Sequence, residues 1–276
     1  MWDTFIIAPF LNALLYIYTL VWNNFGLAII LFTILIKLIT HPLMVKQIKG
    51  AQAMTDLQKD PRWIEAQKKH KGDKEKLSQV QMQLYKELGV NPFASCLPTL
   101  IQFPIIIGLY QSIMLGLASS PLELLKLTGH LYPQFLDVST LIPLNSRFLW
   151  MDLGLPESLK LSFLPFGIPI LAIIVLVTTY LQSRLMTPPS ANPGDQGAQM
   201  SKMMNMYMPF LMGYLALTFS SGLAVYFVAS NLVGILQYAL LGKLDIKNLI
   251  PGMGKKQESV VEVKPVKSGK DKINQK

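Results

Sequence analysis

The sequence predicts an all-α integral membrane protein with five transmembrane helices, an outer interfacial helix and a cytoplasmic helical hairpin. Two observations lead there. Of 276 residues, 51% are hydrophobic and only 15% charged, too little charge to cover a soluble surface of that size. The charge is also clustered. Basic residues fill one block from Lys46 to Lys86 and a second from Lys243 to Lys276, while Leu88–Leu122, Leu161–Ser183 and Met203–Gly242 carry no charged residue. Each uncharged run exceeds the roughly 20 residues that a spanning helix needs.

Taken in order, residues 1–24 form the outer element. Pro9 to Trp22 reads as a helix lying in the outer interface with Tyr16, Tyr18 and Trp22 at headgroup level, because Asn23-Asn24 leaves little chain to join it to the next apolar run as a sixth span. Met1-Trp2-Asp3-Thr4 lacks the basic start of a signal peptide, so this segment is expected to be retained. Residues 25–44 make the first span, closed by Pro42. Residues 45–92 form the hairpin. Met44, Ile48, Ala51 and Met54 recur at helical spacing, Asp60-Pro61 reads as an N-cap with a first-turn proline, and Gly72-Asp73 restarts a helix whose Leu77, Val80, Leu84 and Leu88 share a face. Gly89 and Asn91-Pro92 end it.

Residues 93–118 form the second span, with Pro98 and Pro104 as expected kinks. A loop over 119–160 holds few basic residues. Residues 161–185 form the third span and the turn-rich segment 186–202 follows. The run from Met203 to Gly242 is too long for one span and is divided at Ser220-Ser221-Gly222, which yields a short fourth span over 203–219 and a fifth over 223–242. The basic hairpin and the tail, residues 243–276, belong in the cytoplasm and the N-terminus outside. That arrangement requires an odd number of spans.

Lys37 is the one charged residue inside a predicted span, about 18 Å from its outer end. An ammonium at mid-helix costs roughly 2.5–3.5 kcal/mol, and Phe, Leu and Ile each return roughly 0.3–0.6. Two readings fit: Lys37 faces a wet cavity that attracts negative substrate segments, or its stem snorkels to the inner headgroups. Gln102, Thr178, Thr179, Gln182, Asn231 and Gln237 fall at similar counted depth on other spans, and polar side chains in hydrocarbon need partners or water. Together they suggest a shared hydrated groove; singly, each is also explained by an interhelical hydrogen bond. Gln111 and Ser112 sit on the outer half and do not fit the pattern. Met203, Met204 and Met208, with Met206 and Met212, offer an adaptable apolar surface or ordinary packing.

No catalytic constellation is present. Cys96 is the only cysteine, His41, His70 and His130 lie apart in expected position, and no H-E-x-x-H or paired carboxylate falls in the spans. Gly252-Met253-Gly254-Lys255-Lys256 lacks the spacing of a phosphate-binding loop, so no cofactor, metal or nucleotide is expected. The tail holds nine lysines against four acids. It is expected to be disordered, with ribosomal RNA, anionic lipid or solvent as its surroundings.

Several strings are similar to the YidC family of membrane protein insertases: Lys37-Leu-Ile-Thr-His-Pro42-Leu43, Leu84-Tyr85-Lys86 through Val90-Asn91-Pro92, Cys96-Leu-Pro98 through Gln102-Phe-Pro104, Phe148-Leu149-Trp150-Met151-Asp152-Leu153, and Ser221-Gly222-Leu223 through Ser230-Asn231-Leu232-Val233. The resemblance extends over most of Pro9 to Leu241. It implies five core spans, a cytoplasmic hairpin after the first and a hydrophilic groove open to cytoplasm and lipid. Lys37 stands where the family usually has arginine, which keeps the charge and loses the planar fork. The large extracytoplasmic domain of some members is not expected. Implied partners are nascent membrane proteins, the ribosome, the Sec translocon, signal recognition components and anionic lipid, in a bacterial plasma membrane. A small-solute transporter or channel is the rival class, to which the absence of evident internal symmetry is unfavourable.

Overall fold

In a computed structural model, residues 1–58, 60–70, 72–87, 97–117, 120–132, 143–158, 167–186 and 196–242 are described. The chain is mostly helical, with a few apolar helices and one two-stranded hairpin among the described residues. A π-helical turn, Asp3–Ile7, runs into α1, Ala8–Leu20. Together they make 18 residues of mean hydropathy 1.4. The turn after it reverses the chain within a few residues because Trp22 and Asn23 adopt left-handed backbone, φ 53° and 55°, a conformation that suits asparagine. α2, Phe25–Ile39, is capped by the Asn24 side chain, which accepts from the Leu27 N–H.

The short linker therefore does not keep α1 away from α2. Tyr18 meets the Phe25 ring and Phe10 meets Phe32, both edge-on, so α1 runs antiparallel to α2 to a depth of about 10 Å. Tyr18 is buried, its hydroxyl accepting from the Asn145 N–H at 3.0 Å. Of the three aromatics expected at headgroup level, only Tyr16 and Trp22 are exposed.

At Thr40 the chain bends by 59° into α3, His41–Gln58. The first span thus stops before Pro42, which lies in the opening turn of α3. The hairpin follows as α4, Pro61–Lys69, and α5, Lys74–Glu87. Asp60 caps α4 by accepting from the Arg62 N–H, and Gly72 turns with φ 97°. Trp63 and Leu84 are buried against each other, flanked by Leu77, Val80 and Tyr85. Leu88, Gly89 and Asn91-Pro92 lie outside the described residues, as do the side chains of Ala51 and Met54.

α6, Leu97–Gly116, has Pro98 in its first turn, where a missing N–H costs little, and continues through Pro104. α7, Pro121–His130, opens on a capping box between Ser120 and Glu123. Strands β1, Arg147–Phe148, and β2, Met151–Asp152, pair antiparallel. α8, Ile170–Met186, α9, Gln196–Thr218, and α10, Ser221–Leu240, complete the described chain, the break between the last two falling at Phe219-Ser220.

α10 is the central helix, packed against α2, α6, α8 and α9, with every residue from Ser221 to Phe227 buried. Its direction fixes those of its neighbours. Thr178 and Gln182 on α8 meet Asn231 and Gly234 on α10 in the same order, so α8 and α10 run parallel. Ile113 and Gln102 on α6 meet Gly222 and Tyr226 in the reverse order, so α6 runs the other way. At the end far from the hairpin, the segment around β1 and β2 closes the helices. The Leu153 and Leu155 carbonyls accept from the Gly222 and Ser221 N–H groups at 3.0 and 2.8 Å, and the Glu157 carboxylate accepts from the Leu171 N–H at 3.0 Å. These contacts satisfy donors that helix N-termini leave free.

Phe148 lies flat against Gly26, where an added Cβ would sit 2.2 Å from the ring. Gly26→Ala is expected to cost about 1–3 kcal/mol by overpacking, measured by thermal unfolding in detergent. In a Phe148→Ala background the same change is expected to cost little, since the ring it strikes is gone.

The α4 cap titrates. The guanidinium of Arg62 hydrogen-bonds the Asp60 carboxylate, and with the Arg62 N–H it holds that carboxyl below its usual range against a smaller effect of burial. A lowered folded-state pKa means the cap contributes fully above the unfolded value of about 3.9 and loses its contribution as pH falls through the folded one. Hydrogen-exchange protection across Pro61–Lys69 is expected to hold above that range and decline below it.

Candidate functional site

The residues expected to form a groove meet α10 on different sides: Asn231 faces α8, and Gln237, about 120° round the helix from it, faces α2. Ordered along that helix, Tyr226, Asn231 and Gln237 lie about 8, 15 and 24 Å from Ser221. The Asn231 amide donates to the Thr179 hydroxyl at 2.8 Å and the Thr178 hydroxyl at 3.1 Å. Thr178 passes its own proton back to the Ile174 carbonyl at 2.7 Å, the usual local bond of a threonine within a helix. Gln182 lies against Gly234, its amide nitrogen occupying the space a Cβ would need.

Gln237 reaches across to α2. Its amide nitrogen donates to the Lys37 carbonyl at 3.0 Å and lies 3.3 Å from His41 Nδ1. Its amide oxygen is buried and has no partner among the described residues. Lys37 itself is half-buried, while the next two residues, Leu38 and Ile39, are exposed at 62% and 64%. The lysine therefore stands at the seam between the buried and outward faces of α2. Among the described residues no carboxylate pairs with it; the ion pairs present, Arg62 with Asp60 and Glu87 and Lys76 with Asp73, all belong to the hairpin.

Gln102 is placed differently from the count along its span. Its amide donates to the Tyr226 hydroxyl, about 16 Å along α10 from Gln237. Gln102 and Ile113 stand eleven positions apart on α6, whereas their contacts on α10, Tyr226 and Gly222, stand four apart, so residue number along α6 does not measure depth along α10. The polar residues thus form a ladder of three levels rather than a single layer. Gln111 and Ser112 are satisfied elsewhere: Trp2 Nε1 donates to Gln111 at 2.7 Å, and the Ser112 hydroxyl bonds the Gly108 carbonyl at 2.7 Å with the Ile7 carbonyl nearby.

Met208 is half-buried at the inner part of α9 and Met206 is exposed; the side chains of Met203 and Met204 lie outside the described residues. The sequence reading missed Tyr226 and His41. Tyr226 lies in a run characterised only as uncharged, although its hydroxyl, one turn before Ser230, marks a polar group that a buried helix must satisfy. His41 was weighed only as a metal or catalytic ligand, whereas its contact is with an amide on α10.

These features define a polytopic helical membrane protein whose polar side chains gather between helices. A family model described as the 60Kd inner membrane protein matches residues 16–248. The chain belongs to that family, the family of the YidC insertases. Membrane protein insertase MisCA of Bacillus subtilis is 35% identical over 248 residues, 89% of this chain and 81% of the relative. Membrane protein insertase YidC 2 of Bacillus anthracis is 32% identical over 250 residues, 89% of this chain and 83% of the relative. Membrane protein insertase YidC of Nitratidesulfovibrio vulgaris is 35% identical across 86% of this chain but only 38% of its own length. A crystal structure of an active YidC insertase, with its first transmembrane domain resolved, superposes with a TM-score of 0.50 at 27% identity, covering 83% of this chain and 43% of that one. The family and the apolar helices point to a bacterial inner membrane protein.

The Asn231 bridge is expected to contribute to α8–α10 cohesion. Asn231→Leu should lower stability by about 0.6–2 kcal/mol, the range for interhelical bonds in membranes, read as a fall in unfolding midpoint in micelles. Gly234→Ala should cost less, since Gln182 is a flexible side chain that can swing aside.

Proposed function

We propose that this chain inserts nascent membrane proteins into the bilayer, with Lys37 and the α10 ladder forming a hydrophilic groove open toward the hairpin. The observation that carries this reading is a lysine at a helix seam, half-buried, level with a buried amide and without an acidic partner among the described residues. A cation retained inside a membrane segment is functional by default. An incoming chain presents its acidic, polar segment to Lys37, and its apolar segment then passes into lipid alongside α8 and α10, whose Ile173, Val177, Leu232 and Leu236 are exposed.

Burial at about 25 cal/mol per Å² yields tens of kcal/mol for a 20-residue apolar helix, which is enough to draw a short polar tail across without nucleotide. Thr179, Gln182, Asn231, Gln237 and Gln102 line the path, and Met203, Met204 and Met208 supply an adaptable apolar contact. The opposed directions of α6 and α10 support five spans, α2, α6, α8, α9 and α10, with the N-terminus outside, the hairpin and tail in the cytoplasm, and α1 embedded in the outer leaflet. The basic tail and loops would then engage the ribosome or anionic lipid, with the Sec translocon and signal recognition components as further partners.

In proteoliposomes, Lys37→Ala is expected to slow insertion of a single-span substrate with an acidic tail about tenfold, equivalent to about 1.4 kcal/mol in the barrier. Lys37→Arg should retain it. An equal rate for Lys37→Ala and the unaltered protein would remove the charge from the mechanism.

A further inference from the structure

The bend at Thr40 leaves a backbone acceptor without its usual donor. In a continuous helix the Lys37 carbonyl would receive the His41 N–H. Here the Thr40 N–H goes back to Ile36, while the Leu43 and Met44 N–H groups both go to Thr40. Among the described residues no backbone N–H reaches Lys37. Pro42 favours the break: it has no N–H to give the Leu38 carbonyl, and its ring would crowd that carbonyl in a continuous helix. The Thr40 hydroxyl is committed to the Ile36 carbonyl at 2.8 Å and is a distant 3.4 Å from that of Lys37. The Gln237 amide, at 3.0 Å, is the short donor.

Gln237 is buried, and only one end of its amide is used, the oxygen having no partner among the described residues. A glutamine kept for helix cohesion alone would be expected to use both ends. This one directs its amide nitrogen to the two sides of the bend, to the Lys37 carbonyl at 3.0 Å and toward His41 Nδ1 at 3.3 Å.

We propose that Gln237 is a positioning residue: its amide replaces the backbone donor lost at the bend, fixing the angle between α2 and α3 and with it the direction in which Lys37 presents its ammonium. The inference rests on the reading that Lys37 meets the substrate, but its structural half stands apart from it. The bond also ties the start of the cytoplasmic hairpin to the central helix, so a shift of α3 would be felt at Lys37.

Gln237→Met keeps the volume and removes both the donor and the unpaired oxygen, so loss of one bond is offset by loss of one buried unsatisfied group. Two measurements test the inference. Spin labels at the exposed positions Leu35 and Lys49, in a Cys96→Ser background, report the α2–α3 angle by pulsed dipolar spectroscopy in liposomes. A narrow distance distribution is expected in the parent and a broadened or displaced one with Gln237→Met. In proteoliposomes, the ratio of acidic-tailed to neutral-tailed insertion is expected to fall at least threefold with Gln237→Met, and to fall no further when Lys37→Ala is already present.

Pro42→Ala supplies the control, since it lets the His41 N–H return to the Lys37 carbonyl. In that background Gln237→Met should leave the label distances nearly unmoved. Unchanged distances with Gln237→Met alone overturn the inference, and so does an equal loss on both substrates, which would mark ordinary packing. If Lys37→Ala leaves acidic-tailed insertion untouched, the insertion mechanism falls while the label distances still decide the role of Gln237.

Discussion

A helix enclosed on nearly every side in an apolar environment has no solvent to satisfy its polar groups, so each one must find a protein partner. α10 lives under that constraint, and much of the architecture answers it. The first N–H groups of α10 are met by carbonyls of the segment after β2, and its Tyr226, Asn231 and Gln237 side chains are met by α6, α8 and α2 in turn. Each bond is modest, since polar pairs within membranes contribute about 0.6–2 kcal/mol. Their effect is on register: each permits one rotation and one depth of the neighbouring helix, where apolar packing against lipid-like surfaces would tolerate several.

The same constraint explains why the two ends of the molecule are built differently. Far from the hairpin the fold is closed by short backbone contacts: Phe148 on Gly26, Leu153 and Leu155 on the start of α10, and Glu157 on the start of α8. Toward the hairpin the contacts are longer side chains, Gln182 and Gln237, and one of them keeps an oxygen with no partner among the described residues. The closure is thus made of backbone, a ring and one carboxylate at one end, and of flexible amides at the other.

Much of this was legible in the sequence, in places where one residue type has one physical use. Asp60-Pro61 and Gly72-Asp73 were read from capping and turn chemistry, and the structure has them there; the division expected at Ser220-Ser221-Gly222 falls at Phe219-Ser220, with Ser221 and Gly222 already in α10. Periodicity also found the Leu77, Val80 and Leu84 face, because one apolar partner, Trp63, decides which side is buried. The partner of Gln102 was not legible: counting residues along α6 gives it an inner depth, whereas its amide meets the Tyr226 hydroxyl on α10. The packing of α1 on α2 was not legible either: the argument from linker length presumed ordinary backbone, whereas left-handed Trp22 and Asn23 turn the chain within a few residues. Pro42 was read as the end of a span, and it is better understood as the cause of a bend whose unfilled acceptor is served from a helix 200 residues away.

On the proposed mechanism, the choice of lysine where relatives of this family usually carry arginine becomes a matter of geometry. A guanidinium offers a planar fork and favours one approach by a carboxylate, while an ammonium is a compact charge with three rotatable donors on a flexible stem. Directionality lost at the side chain must then be recovered elsewhere if the charge is to point into the groove and not toward headgroups. In this chain the recovery falls to the backbone: the exposed Leu38 and Ile39 fix which face of α2 meets lipid, and the amide on α10 holds the carbonyl of Lys37 itself. A flexible cation on a fixed backbone can follow acidic segments of varied sequence without capturing any of them tightly, which is what passage through a groove requires and what a binding site would forbid.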